Sequence, residues 1–271
     1  MKDLFQSNSP LVMGILNTTP DSFSDGGSYV RKDIALRRIE TMIGEGVDII
    51  DVGGESTRPG AQAVSESEEL DRVIPIVEVV VASGIPVSVD TSKARVMREA
   101  ISAGATMIND VRALQEEGAL DAVAASDEAL VCLMHMQGQP RSMQHNPQYD
   151  DVVTDVKEFL LERVAACQEQ GIESDRICLD PGFGFGKTLQ HNCELMKHLD
   201  SFKELNLPLL VGVSRKTMIG NILDVDVNNR VNGSVVAAMY ALTKGANIVR
   251  VHDVKPTVEA VKLFCAFEQG K

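Results

Sequence analysis

The chain has 271 residues, of which 44% are hydrophobic, and its formal net charge at pH 7 is −13. This composition excludes a disordered chain, because it supplies enough apolar material for a buried core. The negative charge disfavours nonspecific binding to nucleic acid or to anionic membranes, since both reward basic patches. An anionic small molecule remains compatible with this charge, provided that cations are concentrated at its site.

Export and disulfide bonding are also disfavoured. Residues 1–5 lack the hydrophobic region of a signal peptide, and the longest apolar runs are far too short to cross a bilayer. The five cysteines include no Cys-x-x-Cys pair, and their odd number argues against a disulfide framework. We therefore expect a cytoplasmic protein with reduced, mostly buried thiols.

Eight short apolar runs predict parallel strands. Each run ends on a polar or glycine-rich group and is followed by a segment with helical periodicity, except that no helix is predicted between the seventh run and residue 231. The predicted strands are 11–17, 47–54, 86–90, 106–110, 130–135, 177–180, 209–214 and 248–252. The predicted helices are 34–43, 68–82, 93–103, 119–125, 154–170, 190–199, 231–243 and 256–268. Ser65 and Glu68 form a capping-box pattern, and Pro75 should either kink the second helix or mark its start.

This alternation predicts a single domain, residues 1–271, folded as one (β/α)8 TIM barrel. A doubly wound open sheet would share the pattern and is the alternative, but eight units in a chain of this length favour closure. The loops after the first two strands, 18–29 and 55–65, are long, and we expect them to be mobile lids. In a barrel all eight strand ends meet at one face, where the active site of this fold lies.

Three of these strand ends carry Asp90, Asn109 and Asp180. A buried carboxylate is costly unless it is paired or hydrogen-bonded, so these side chains in one pocket predict a ligand with matching donors and acceptors. The edge of an amino-pyrimidinone would match them. Taken singly, each residue could instead be the N-cap of the following helix.

The segment 180–188 is similar to two phosphate-binding motifs without matching either. A phosphate loop would require glycine in place of Pro181, and the dinucleotide fingerprint would require glycine in place of Lys187. What remains is a loop with exposed backbone and two phenylalanines. It could wall a flat heterocycle or be a tight packing turn.

Cations are concentrated after the last two strands, where many barrels bind phosphate. Lys216 follows the seventh strand, and Arg250 and His252 alternate on the eighth, so that both face one side and predict joint binding of an anion. His135 reads as a satisfied core histidine. Asn17 is a weak oxygen ligand that could hold Mg²⁺ together with a diphosphate. The chain has no Ser-His-Asp set, zinc-protease motif or flavin motif.

These motifs occur in the order found in the dihydropteroate synthase family, which the chain resembles over almost its whole length. MGILNTTPDSFSDGG at 13–27 and DVGGESTRPG at 51–60 are similar to the two signatures of that family. The match continues through 89–92, 108–110, 133–138, 180–187, 214–216 and 250–253. The departures are mild: Thr18 stands where the family more often has Val, and Thr217 where Ser is frequent.

The resemblance implies a transferase of folate biosynthesis. It would condense 6-hydroxymethyl-7,8-dihydropterin diphosphate with 4-aminobenzoate to give 7,8-dihydropteroate and diphosphate, by departure of diphosphate to a pterin cation and attack of the amine. The resemblance further implies Mg²⁺ as cofactor, sulfonamides as competitors, and a homodimer. It implies no nucleic-acid or membrane partner.

By the same resemblance the site residues fall into overlapping groups. The pterin would be held by Asp90, Asn109, Asp180 and Lys216. The diphosphate would be surrounded by Asn17, Thr57, Arg58, Arg250 and His252, with Asn17 also on the metal. The aminobenzoate would lie against Phe23, Pro59, Phe185, Ser214 and Lys216. The catalytic residues would be Lys216, Asp180, Asp90, Arg250 and His252.

Two other functions stay open. A methyltransferase that uses methyltetrahydrofolate would share Asp90, Asn109 and Asp180, but it would not need the Thr-Arg pair at 57–58 or the cations after the last two strands. A catalytically inactive protein would bind pterin diphosphate without releasing diphosphate when aminobenzoate is added.

Overall fold

All eight predicted strands exist in the computed structural model, which describes residues 4–5, 9–18, 28–56, 63–138, 143 and 147–269. The strands are β1 (Leu11–Asn17), β2 (Ile49–Gly53), β3 (Val87–Asp90), β4 (Met107–Asp110), β5 (Leu130–Met134), β6 (Ile177–Asp180), β7 (Leu210–Val211) and β8 (Ile248–Val251). Most are one to three residues shorter than predicted. The difference is largest for β7, where only two residues keep ladder geometry before the backbone turns away.

The strands form one parallel sheet in the order β6-β5-β4-β3-β2-β1-β8-β7. A parallel bridge between Leu179 and Leu209 joins the two ends of this order. Sequential order with closure is that of a (β/α)8 barrel, so this prediction is confirmed. The open-sheet alternative is wrong, because an open doubly wound sheet reverses its strand order at a switch point.

Helices cover the outside of the barrel. They are α1 (Ser28–Glu45), α2 (Glu66–Ala82), α3 (Ala94–Ser102), α4 (Ala119–Ala124), α5 (Val152–Glu169), α6 (Leu189–Lys197), α7 (Thr217–Leu223), α8 (Val231–Thr243) and α9 (Val254–Gln269). Short 3-10 helices in the described part of the chain include Ser174–Arg176, Leu199–Leu205 and Val227–Asn229. Helix α7 has no counterpart among the predicted helices, because its seven residues are too few to show helical periodicity.

The predicted capping box of α2 is present. The Ser65 hydroxyl accepts the Glu68 N–H, and the Glu68 carboxylate accepts the Ser65 N–H. Pro75 therefore does not mark the start of this helix but lies inside it. Among the described residues, no helix is both long enough and apolar enough to cross a membrane.

Strand alternation explains why one end of the barrel is apolar and the other polar. A cluster of buried side chains lines the barrel interior: Met13, Ile49, Met107, Leu130, Cys132, Cys178, Leu210 and Ile248. Leu4, Phe5 and Leu11 pack against this cluster and close the amino end. Side chains two residues further along a strand point the same way. Toward the carboxyl end of the barrel, the side chain two residues after each apolar one is therefore also interior, and it is polar. These pairs are Ile49 and Asp51, Met107 and Asn109, Cys178 and Asp180, and Ile248 and Arg250.

Candidate active site

An ion-pair cluster joins three strands at the carboxyl end of the barrel. Arg250 Nε donates to Asp51 Oδ2 at 2.6 Å, and Arg250 Nη2 donates to Asp90 Oδ2 at 2.8 Å. Asn109 Nδ2 lies 3.4 Å from Asp51 Oδ2, which adds β4 to the cluster. Asp51 is fully buried, and the Arg250 guanidinium provides the positive charge next to its carboxyl group. We name Asp51, Asp90, Asn109 and Arg250 the carboxylate cluster.

Burial and charge act differently on the members of this cluster. Burial raises the pKa of Asp90 to about 7, although the neighbouring Arg250 guanidinium acts in the opposite direction. For Arg250, burial lowers the pKa, but Asp51 and Asp90 outweigh it and hold the pKa above its ordinary value. Arg250 is therefore always charged, and Asp90 changes its charge near neutral pH.

None of the three predicted heterocycle-binding residues is a helix N-cap. The N-caps of α3, α4 and α6 are Lys93, Gly118 and Thr188. The alternative that Asp90, Asn109 and Asp180 cap the following helices is therefore wrong. Their side chains instead take part in the contacts at the barrel end.

Asp180 lies on the other side of the barrel end and begins a tight loop. Its Oδ1 accepts the Gly182 N–H at 2.7 Å, and burial raises the pKa of its carboxyl, opposed by Lys216. Gly182 has φ +69°, and a Cβ there would lie 1.8 Å from the His135 carbonyl oxygen. Glycine is thus required by both conformation and space. Residues 181–187, with Lys187 as the last residue, are named the glycine loop.

The two phenylalanines of the glycine loop have different places. Phe183 is fully buried in the outer core, whereas Phe185 is partly exposed. Lys216 Nζ lies 4.7 Å from the centroid of the Phe185 ring and donates to the Phe183 carbonyl oxygen. The loop is therefore a packing turn at Phe183, and Phe185 lies at its partly exposed side next to Lys216. Burial lowers the pKa of Lys216 to about 8, although Asp180 opposes this shift.

Ser214 and His252 form a pair between β7 and β8. Ser214 Oγ accepts the His252 backbone N–H at 3.1 Å and lies 3.1 Å from His252 Nδ1. Arg215, between Ser214 and Lys216, has φ +55° and makes a bidentate ion pair with Asp253 at 2.6 and 2.8 Å. This ion pair holds the strained turn from which Ser214 and Lys216 extend.

Asn17 lies at the end of β1 beside the carboxylate cluster. A Cβ built on Gly53 would be 3.6 Å from Asn17 Oδ1 and 3.6 Å from Asp90 Cβ, so Gly53 separates the two side chains. Within the described residues, no group of three or more His, Cys, Asp and Glu side chains could hold a metal ion.

Four predicted site residues, Phe23, Thr57, Arg58 and Pro59, lie outside the described residues, as does most of the loops 18–29 and 55–65. The described start of the second loop is tied to the barrel. Arg72 Nη1 donates to the Gly54 carbonyl oxygen at 3.0 Å, and Lys93 Nζ bridges the carboxylates of Glu55 and Glu69.

Two residues of this region were not assigned to the site from sequence. Asp51 lies two residues after the inward Ile49, so strand alternation places its side chain in the barrel interior. Lys187 stands where the dinucleotide fingerprint would need glycine, and no sequence signal shows its burial. His135 is buried, and burial lowers its pKa to about 2, so its interpretation as a core histidine is confirmed.

The family described as pterin binding enzyme matches residues 13–252 of this chain. The dihydropteroate synthase of Escherichia coli (strain K12) is 54% identical, over 94% of this chain and 90% of that protein. A Yersinia pestis dihydropteroate synthase in a sulfonamide drug complex has a TM-score of 0.92 at 53% identity, covering 96% of this chain and 95% of its own. A Xanthomonas albilineans dihydropteroate synthase with 4-aminobenzoic acid has a TM-score of 0.91 at 49% identity, covering 96% and 94%. This chain therefore belongs to the dihydropteroate synthase family of pterin binding enzymes.

Proposed function

We propose that this chain catalyses the condensation of 6-hydroxymethyl-7,8-dihydropterin diphosphate with 4-aminobenzoate, giving 7,8-dihydropteroate and diphosphate. The observation that carries this proposal is the meeting of carboxylates and cations at one end of the barrel, in a chain of this family. Solved relatives contain a sulfonamide drug and 4-aminobenzoic acid. We extend both to this chain as a competitor and a substrate.

The pterin is proposed to bind at Asp90, Asn109, Asp180 and Lys216. Carboxylates accept hydrogen bonds from amino and ring N–H groups, and the Asn109 amide supplies both a donor and an acceptor. Asp51 adds a supporting role, because it contacts both Asn109 and Arg250. The buried carboxylates would also stabilise a pterin cation as it forms.

The diphosphate is proposed to bind Asn17, Arg250 and His252, with Thr57 and Arg58 from the second loop. Mg²⁺ fits this arrangement, because the Asn17 amide oxygen is the kind of ligand it prefers, and diphosphate oxygens and water would complete its shell. When bound, Mg²⁺ would supply positive charge for the departing diphosphate. The charged Arg250 would orient the same group from the other side.

The proposed catalytic step is the departure of diphosphate, which the enzyme accelerates by stabilising the charges that develop. The amine is already a nucleophile, so no strong base is required, and the binding residues Lys216, Asp180, Asp90, Arg250 and His252 are also the catalytic residues. The aminobenzoate would lie against Phe185, Ser214 and Lys216, with Phe23 and Pro59 from the two loops. Closure of those loops would orient the amine and exclude water.

A single domain over residues 1–271, a cytoplasmic location and a homodimer complete the proposal. The five cysteines are free, which supports a reducing compartment.

Exposed apolar side chains on the last two helices support self-association. Val236 and Tyr240 lie four residues apart on α8, and Leu263 and Phe267 lie four residues apart on α9; Val236 is 69% exposed and Phe267 is 78% exposed. Sedimentation of the wild type should give a dimer, and Val236→Asp should shift it toward monomer. A monomeric wild type would contradict the homodimer.

A diphosphate-release assay, run with and without 4-aminobenzoate, tests the function. We expect release that requires both 4-aminobenzoate and Mg²⁺. Consumption of methyltetrahydrofolate without diphosphate release would instead identify the methyltransferase. Tight binding of pterin diphosphate without release would identify an inactive binding protein.

Order of binding gives a second test. We expect diphosphate with Mg²⁺ to promote aminobenzoate binding, because ordering of the loops 18–29 and 55–65 would complete that subsite. Calorimetry measures the affinity for 4-aminobenzoate with and without diphosphate. Equal affinities in the two titrations would contradict this coupling.

A further inference from the structure

Lys187, at the end of the glycine loop, has its amino group enclosed by polar groups of the protein. The residue is 3% exposed. Its Nζ lies 2.8 Å from His135 Nδ1, 2.9 Å from the Gly182 carbonyl oxygen and 3.0 Å from the Phe185 carbonyl oxygen. Burial lowers the pKa of the Lys187 amine, opposed by Asp180, and these three neighbours provide hydrogen-bond partners for its nitrogen. A buried amine is costly otherwise, which indicates that the loop is built around this side chain.

His135 is suited to be an acceptor for this lysine. Burial holds the pKa of its imidazole far below neutral, so the ring is uncharged and one of its nitrogens accepts. The ring packs edge-on against Phe159 at 4.9 Å between centroids, and the His135 N–H donates to the Asp180 carbonyl oxygen at 3.0 Å. The acceptor is thereby fixed relative to β6. Lys187 thus joins the end of β5 to the loop that follows β6.

The carbonyl groups of the glycine loop divide between two lysines. Those of Gly182 and Phe185 point inward to Lys187, whereas that of Phe183 accepts from Lys216. The ring of Phe185 then lies beneath the Lys216 ammonium. Releasing the two inward carbonyls would free the loop to move both contacts of Lys216.

We propose that Lys187 is a positioning residue that holds the glycine loop so that Phe185 and Lys216 form the aminobenzoate subsite. Unlike the lysine of a phosphate loop, it binds its own loop and does not reach the substrate. This inference rests on the proposed function and deepens it. The carboxylate cluster is held separately by Arg250, so the part of the pterin site at Asp90 and Asn109 should not depend on Lys187, whereas Lys216 adjoins the glycine loop.

Lys187→Met tests this role, with Lys197→Met as the matched control, since Lys197 is exposed at the end of α6. We expect Lys187→Met to raise KM for 4-aminobenzoate by about tenfold or more, and KM for pterin diphosphate by a clearly smaller factor, because Asp90 and Asn109 stay in place. Amide exchange of residues 182–187 should accelerate by about tenfold or more, with β1–β4 unchanged. Lys197→Met should match the wild type in every measurement.

A pair of substitutions at the acceptor keeps the test decisive if Lys187→Met does not fold. His135→Asn retains a side-chain acceptor near the position of Nδ1, whereas His135→Leu removes it. We expect His135→Leu to reproduce the rise in KM for 4-aminobenzoate. His135→Asn should stay within about threefold of the wild type.

Two outcomes would overturn the proposal. One is KM for 4-aminobenzoate within about twofold of the wild type in both Lys187→Met and His135→Leu. The other is an equal rise of both KM values with exchange accelerated throughout the barrel, which would show a general structural role. If the wild type itself releases no diphosphate, the proposed function fails, and exchange of residues 182–187 still tests whether Lys187 holds the loop.

Discussion

The two sides of the barrel end hold their charged groups in different ways. On the side of β2, β3, β4 and β8, charged side chains bind one another across strands. Arg250 and Asp51, for example, form an ion pair although they are 199 residues apart in sequence. On the side of β6 and β7, Lys187 and Lys216 bind backbone carbonyl groups of one short loop. The first side is held by charge balance across strands, and the second by backbone conformation. We therefore expect different substitutions to destabilise the two sides.

The largest effect is expected for Arg250→Ala on the first side. It leaves the carboxylates of Asp51 and Asp90 without their cation, and breaking a buried ion pair costs about 3–5 kcal/mol of stability. Turnover should fall by about tenfold or more, because the leaving group loses a cation. Urea unfolding and steady-state assays measure these changes.

The control is the double variant Arg250→Ala with Asp90→Asn, which removes one of the two unpaired charges. It should recover part of the lost stability while turnover stays low. An unfolding free energy of Arg250→Ala within about 1 kcal/mol of the wild type would contradict charge balance as the basis of this side.

Gly182→Ala tests the second side, with Gly84→Ala as its control. Both glycines have positive φ, so alanine should cost about 1–2 kcal/mol at either position. A Cβ at Gly84 meets nothing within 4 Å, whereas at Gly182 it overlaps the His135 carbonyl oxygen. Overlap adds about 1–3 kcal/mol, so Gly182→Ala should lose clearly more stability in urea. Equal losses of unfolding free energy in the two variants would show that the positive φ alone, and not the overlap with His135, sets the cost.

Lys216→Ala and Asp180→Ala should each lower turnover by about tenfold or more, because they remove groups placed at the proposed pterin site. Their effect on stability should be smaller than that of Arg250→Ala. Steady-state kinetics and urea unfolding on the same preparations separate the two effects. Turnover near the wild-type value for both variants would contradict the assignment of these two residues to the active site.

The smallest effect is a shift in pH dependence. Lysine is charged below its pKa, so the wild type should lose kcat/KM for pterin diphosphate above about pH 8, where Lys216 becomes neutral. Asp90 is charged above its pKa, so activity should also fall below about pH 7. Lys216→Arg should move the alkaline fall to higher pH, because guanidinium keeps its charge. An unchanged alkaline fall would assign it to another group.

The sequence alone was sufficient for the barrel and for much of its polar end. Strand runs and strand ends are local patterns, and alternation along a strand places Asp180 and Arg250 inside once the direction of one neighbour is known. The short α7 and the length of β7 were not predictable, because two to seven residues carry too little periodicity.

The resemblance to a family came from motifs in sequence order, and the family is confirmed by relatives that span nearly the whole chain. The roles given to individual residues stay proposals. Among them, Thr57 and Arg58 belong to a segment outside the described residues.

Sequence by itself determined the eight strand-helix units, because hydrophobic periodicity is a property of neighbouring residues. Only the tertiary structure decided which charges compensate each other. Arg250 is paired with Asp51 and Asp90, and Lys187 is enclosed by His135 and its own loop. Such contacts depend on barrel closure, which brings together residues far apart in the chain, and burial then makes each pairing energetically necessary.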